Sequence, residues 1–171
     1  GESQVGGLVG MVKDSSTVSN CYSTSSVSGS GNDVGGLVGG IPSSSPSFIS
    51  NCYSTGSVSS PGIRVGGLVG GSDAIVTNCY STGSVSGEET FVGGLLGWST
   101  GTVNNSFWDK QTSGMVTSFG GEGLSTAEMM DAYTFCFAGW DFEEDENGND
   151  NGTAGGTIGN GTENWWDMVQ D

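Results

Sequence analysis

Apolar residues along this chain come in short runs, such as "GLVG", "TVSNCYST" and "SVSG", separated by Gly, Ser and Asn. Up to residue 107 no apolar stripe of period 3.6 appears, and the β-branched content predicts short strands rather than helices. A helical repeat would hold far less Gly, which costs about 1 kcal/mol per residue in a helix interior. The runs themselves recur. "VGGLVG" occupies 5–10, 34–39 and 65–70, with "VGGLLG" at 92–97; "NCY" follows at 20–22, 51–53 and 78–80, with "NSF" at 105–107. Each Asn lies 14 residues before the next "VGG" valine, whereas the return from that valine to an Asn takes 15, 17, 13 or 13 residues. The constant half predicts rigid structure. The variable half predicts a loop, longest around "GGIPSSSPSFIS".

A period near 27 residues predicts a solenoid whose repeats bury their apolar sides only by stacking. The expected fold is all-β: a β-solenoid (β-helix-like) of about four coils, each with two or three short strands, followed by a small C-terminal cap with one short helix. Residues 1–107 would form the solenoid, and 108–171 a cap or assembly segment with an acidic loop. Coils about 4.8 Å apart would set Leu8, Leu37, Leu68 and Leu95 in one buried column and Val27, Val58 and Val85 in another. Asn20, Asn51, Asn78 and Asn105 would form an amide ladder, and Tyr22, Tyr53, Tyr80 and Phe107 a ring stack. Gly, Asn and Ser would serve the turns by allowing positive φ or by capping local backbone.

The pattern "VGGLVG…NCYSTGSVSG" resembles the GLUG motif, named for its Gly-Leu-Gly signature and found in bacterial secreted and surface proteins. These include adhesin-like proteins and regions attached to immunoglobulin-cleaving metallopeptidases. The resemblance covers residues 5–107. The stretch from "SFWDKQTSG" to "AGWDF" resembles the end piece that follows such repeats, and "NGTENWWDM" its closing strand. It implies a fold and a surface or secreted setting, and almost nothing about chemistry.

In the end piece Ser125-Thr126-Ala127-Glu128 has the form of a capping box. "AEMMDAYTFCF" is expected to form one helix, with Met129, Met130 and Tyr133 toward the solenoid. Trp108, Trp140, Trp165 and Trp166 would complete the cap. Trp165-Trp166 is also the candidate sugar-stacking pair, since successive strand residues face opposite ways.

Composition narrows the functions. There are 33 Gly, AVILMFWYC make up 33%, and 19 acids face 3 bases with no His, for a formal charge of −16. Binding a phosphate backbone takes Lys and Arg, so nucleic acid is excluded as a partner, and insertion into a membrane is not expected because no 18-residue apolar run exists. The Ser/Thr-rich, acidic, Lys-poor composition predicts a secreted, extracellular or cell-surface protein. A chain starting at Gly1 rather than Met reads as a mature or trimmed one. Nucleophilic catalysis recruits His or Lys as base, and no repeat presents a carboxylate pair to a groove, so the protein is not expected to be an enzyme.

Three sets of candidate residues remain. The stretch 141–152 alternates Asp and Asn, and Asp145, Asn147, Asn149 and Asn151 make a candidate calcium set, although residue six of an EF-hand count from Asp145 is Asp150 rather than Gly. A solvated acidic loop is the plainer reading, and no cofactor is otherwise implied. Asn104, Asn151 and Asn160 head Asn-X-Ser/Thr sequons, relevant if the source glycosylates; the serines of 43–47 would then suit O-linked sugars. Cys21, Cys52 and Cys79 are equivalent positions, expected as a buried column of free thiols, with Cys136 the alternative partner.

Two functions follow. In one, the protein is an extracellular structural subunit that assembles with itself, head to tail, into a fibre. There the first coil, entered four residues after Gly1, would expose Leu8, Cys21 and Val27 to the end piece of another copy, with Met129, Met130, Trp165 and Trp166. In the other, it is an adhesin module, a fragment of a longer surface protein, that binds glycans or a host protein.

Overall fold

The computed structural model describes residues 3–13, 15–42, 47–88 and 90–140. The acidic stretch from residue 141, with Asp145, Asn147, Asn149, Asn151, Asn160, Trp165 and Trp166, lies outside the described residues. So do residues 43–46 of the Ser-rich loop.

Residues up to Thr126 form one unit, a β-solenoid of four coils. The first coil runs through β1 (Val5–Gly6), β2 (Val9–Met11), β3 (Thr17–Ser19), β4 (Tyr22–Ser23) and β5 (Val27–Ser28). The second has β6 (Val34–Gly35), β7 (Val38–Ile41), β8 (Phe48–Ser54) and β9 (Val58–Ser60). The third has β10 (Val65–Gly66), β11 (Val69–Ser72), β12 (Ile75–Ser81) and β13 (Val85–Gly87). The fourth has β14 (Val92–Gly93), β15 (Leu96–Ser99), β16 (Val103–Asn104) and β17 (Phe107–Asp109). Every pairing is parallel and keeps the repeats in register, as in Val5↔Val34, Val34↔Val65 and Val65↔Val92. Complete coils therefore have four faces, where two or three strands were expected; the "VGG" corner splits what reads in sequence as one strand.

Two thin cores run along the stack. One holds Leu37, Leu68, Leu95, Ile49, Val76 and Trp108; the other is a valine column, Val27, Val58 and Val85 against Val34 and Val65. The waist between them is made by pairing the second "VGG" glycine with the serine of "NCYS". A Cβ on Gly36 would lie 2.2 Å from Ser54 Oγ, and one on Gly67 2.9 Å from Ser81 Oγ. In the fourth coil a Trp108 ring takes the serine's place, 2.0 Å from where a Gly94 Cβ would be. Only glycine lets the walls approach so closely.

Glycine is not what turns the repeat corners by positive φ. That work falls to two columns of other residues. Asn20, Asn51, Asn78 and Asn105 have φ of 53, 53, 53 and 45°, and the residue before each "VGG", Gln4, Asp33, Arg64 and Phe91, has 56, 59, 63 and 67°. Asn tolerates this left-handed conformation better than most residues because its short amide bonds locally.

After the fourth coil, α1 (Lys110–Ser113) is capped by Asp109, whose carboxylate accepts from the Gln111 and Thr112 amides at 2.8 and 3.1 Å. Residues 117–119 then close the fourth-coil edge. Gly94 N–H donates to Thr117 O, Phe119 N–H to Leu96 O, and the Leu96 amide to Ser118 Oγ at 2.9 Å. Next β18 (Glu122–Leu124) adds one more parallel strand on β17. The stack is thus closed by a loop and a strand, a device not foreseen from sequence.

Beyond Thr126 a second unit begins. The single helix expected there is two, α2 (Thr126–Met129) and α3 (Ala132–Phe137). Asp131 divides them: its backbone is extended and its carboxylate accepts from the Tyr133 amide at 3.0 Å, capping α3. Met129 and Phe135 are buried, and Phe135 meets Trp140 edge to face at 5.0 Å. Met130 and Tyr133, expected to face the solenoid, are instead 54% and 48% exposed: Met130 follows the last residue of α2, and Tyr133 lies on the separate helix that Asp131 starts.

Candidate functional site

Two parts of the solenoid surface stand out: the face of the first coil, and a cleft beside the "VGG" corners. Each follows from the ladders.

The ladders end at the first coil. Among the described residues β1, β2, β3 and β5 each terminate their sheet, leaving strand edges available for pairing. Leu37, Leu68 and Leu95 are fully buried, whereas Leu8 is 50% exposed, because the described residues place a coil on one side of it only. The expectation of four buried leucines holds for three. Tyr22, Tyr53 and Tyr80 stack with centroids 5.0 Å apart and planes within 4°; exposure falls from 52% at Tyr22 to 4% at Tyr80. Burial, then the neighbouring Tyr53, pushes the Tyr80 hydroxyl well above the usual tyrosine range. Asn51 Nδ2 donates to Asn20 Oδ1 at 3.1 Å and Asn78 Nδ2 to Asn51 Oδ1 at 3.4 Å, so the amide ladder points its donors toward the first coil.

Of the residues expected to face that open end, Leu8 does so and Cys21 is half-buried. Val27 does not: it is buried in the valine core, where Val5 from its own coil also packs. Met129 is buried as well, which withdraws it from any joining surface, while Met130 is exposed.

All four cysteines are free. Cys21, Cys52 and Cys79 each donate to the carbonyl two residues back (Ser19, Ser50 and Thr77) at 3.0, 3.1 and 3.2 Å. Ser106 repeats this with Asn104 O at 2.7 Å. The column therefore needs a small donor to brace the bend that Asn makes, which either thiol or hydroxyl supplies. Cys79 is held protonated, its pKa raised by the hydrogen bond it shares with Cys52 and by burial.

The cleft lies on the outer side of β7, β11 and β15. Met11, Gly40, Gly71 and Trp98 share one register position, so two rungs without side chains precede an indole. Along one side run the residues before "VGG". Arg64 Nη2 donates to Asp33 Oδ2 at 2.8 Å and Arg64 Nε lies 2.7 Å from Oδ1, an ion pair joining two coils. A Cβ on Gly71 would come within 2.6 Å of Asp33 Oδ1, so glycine is what lets the pair lie across the sheet. Burial raises the Asp33 pKa, and Arg64 only partly offsets it. The space enclosed is about 240 Å³, lined also by Gln4, Pro42 and Asp73, whose carboxylate accepts from the Thr100 hydroxyl.

Sequence reasoning missed this cleft. The one available signal was a break in the repeat: Trp98 where the equivalent coils have Gly40 and Gly71. Asn104, the one candidate sequon residue among those described, is exposed on β16. Among the described residues no group of three or more His, Cys, Asp or Glu is placed to hold a metal, and no helix is long and apolar enough to cross a membrane.

Fold and surface together define a repeat protein of the parallel β-solenoid class. One of its repeats, residues 62–86, matches the family model described as the GLUG motif, and the coils on either side of the match repeat its strands and register. No curated protein and no solved structure matches the chain. A GLUG-repeat solenoid fits a repeat protein of surface or adhesin type.

Proposed function

We propose that this protein is an extracellular or cell-surface structural subunit whose solenoid is extended, head to tail, by a second copy docking on the first coil. The observation that carries the reading is the contrast in the leucine column, where Leu8 is half exposed and its three equivalents are sealed by the next coil. A coil face whose parallel edges are unpaired among the described residues is complementary to another coil of the same repeat. The asymmetry of the molecule restricts the other half of the joint. Residues 117–119 cover the fourth coil next to β14 and β15, so the donating edge is that of β18, where the third sheet ends among the described residues. A heterologous joint of this kind grows into an open filament unless its rotation closes a ring. The role is structural, not catalytic.

Negative-stain microscopy and sedimentation at high protein concentration, in moderate salt with and without calcium, test it. Filaments or rings are expected from the native chain and none from Leu8→Asp, which places a charge on the open face. A native chain that stays monomeric throughout refutes the assembly reading.

A further inference from the structure

We propose that the cleft over Gly40 and Gly71 is a binding site for one neutral pyranose ring, with Trp98 as its platform. This goes beyond assembly and does not depend on it.

The chemistry selects the ligand by exclusion and by fit. At about 240 Å³ the cleft is smaller than the roughly 300–1,000 Å³ of sites for drug-sized ligands, which suits a single ring rather than a peptide. An anion is disfavoured, since Asp33 and Asp73 outnumber Arg64 at the site and the chain carries −16. A metal cation is disfavoured by the guanidinium in the same space. What remains is a ring with hydroxyls on its rim and an apolar face.

Trp98 is half-buried, and its backbone is held by the pairing of β15 with β11. A sugar's C–H face covers an indole well, for an aromatic side chain offers a large flat apolar area. The polar groups then match hydroxyls, which both donate and accept. Asp73 accepts on one side. On the other, the Arg64 guanidinium donates through Nη2 to Asp33 and keeps Nε in ion-pair contact with the second carboxylate oxygen, leaving the Nη1 hydrogens to donate. The ion pair itself holds Arg64 in place, since one charge-assisted hydrogen bond and a second short contact to the same carboxylate restrict the guanidinium. Glycine at 40 and 71 lets the Asp33–Arg64 pair lie close against the sheet as one wall of the cleft, and Trp at 98, where the second and third coils have Gly, is the substitution that would give the ring affinity.

The test is a titration of the isotope-labelled native protein with the methyl glycosides of glucose, galactose and mannose, read in amide and indole N–H spectra. At least one is expected to move the Trp98 indole and Gly71 amide signals together and saturably, with a Kd on the order of 1 mM. Trp98→Gly installs the residue that the second and third coils have at this position and so should fold; it is expected to abolish the shift. Asp73→Asn, nearly isosteric, is expected to weaken binding by about tenfold. Absence of a saturable shift with all of these glycosides overturns the proposal, and so does binding that survives in Trp98→Gly.

Discussion

Asn51 sits in a left-handed backbone conformation with φ 53° and bonds through its side chain to Asn20 and Asn78. The two duties can be separated. Gly keeps the angle and loses the ladder; Ala loses both and adds the left-handed cost of about 1–2 kcal/mol. Asn51→Gly should therefore cost about 1 kcal/mol and Asn51→Ala about 2 or more, by urea unfolding. A second contrast lies at the waist. Ser81 Oγ donates to Gly94 O at 2.7 Å, whereas the equivalent Ser54 Oγ is buried without a partner among the described residues. Ser81→Ala should destabilise and Ser54→Ala stabilise, each by about 1 kcal/mol. Equal effects of the same sign would show that the waist is governed by packing alone. Asp33 gives a pH signature. Its carboxyl is held above the ordinary value of 3.8, chiefly by burial, so the folded chain binds this proton more tightly than the unfolded one. Its contribution is fully present below 3.8 and is lost as pH rises through the raised value. The stability of the native chain relative to Asp33→Asn should accordingly fall as pH is raised from that range toward neutrality.

At the scale of elements, the repeat was legible because identical residues at constant spacing leave few ways to stack. The 14-residue constant segment sets the register, and Val34↔Val65 or Cys52↔Cys79 pair as that spacing requires. What sequence did not reveal was local. Four faces per coil depend on corners where Gly is chosen for closeness and other residues take positive φ, a division invisible in composition. The break at Asp131 was hidden because "AEMMDAYTFCF" reads as one apolar-rich run. The cleft was hidden because it is made of missing side chains, and its charged members, Asp33 and Arg64, lie 31 residues apart in a column whose other members are Gln4 and Phe91. The leucine column tests the stack directly. Leu68→Asp buries an unpaired charge between two coils and should prevent folding, whereas Leu8→Asp, at a half-exposed position, should leave a folded chain. Circular dichroism and amide spectra decide; a folded Leu68→Asp protein would contradict the solenoid.

For the whole molecule, charge opposes the joint that the open coil invites. Of the 19 acids in the chain, nine lie in residues 141–171, which hold no Lys or Arg. Copies that associate carry these charges with them, and repulsion over distances beyond a Debye length of about 10 Å is largely screened by 0.1 M salt. Assembly should therefore strengthen as salt is added, and a divalent cation, the candidate ligand of Asp145 and its neighbours, should act at lower concentration than sodium. The two contributions come apart in a variant with Asp141, Glu143, Glu144, Asp145, Glu146 and Asp150 replaced by their amides. If that stretch supplies the repulsion, the variant should assemble in low salt and lose its response to calcium while keeping the Leu8 dependence of the joint. Sedimentation across a salt series reads each of these outcomes. An unchanged salt requirement in the variant would move the opposing charge to the ten acids of residues 1–140, and with it the control of assembly to the coils themselves.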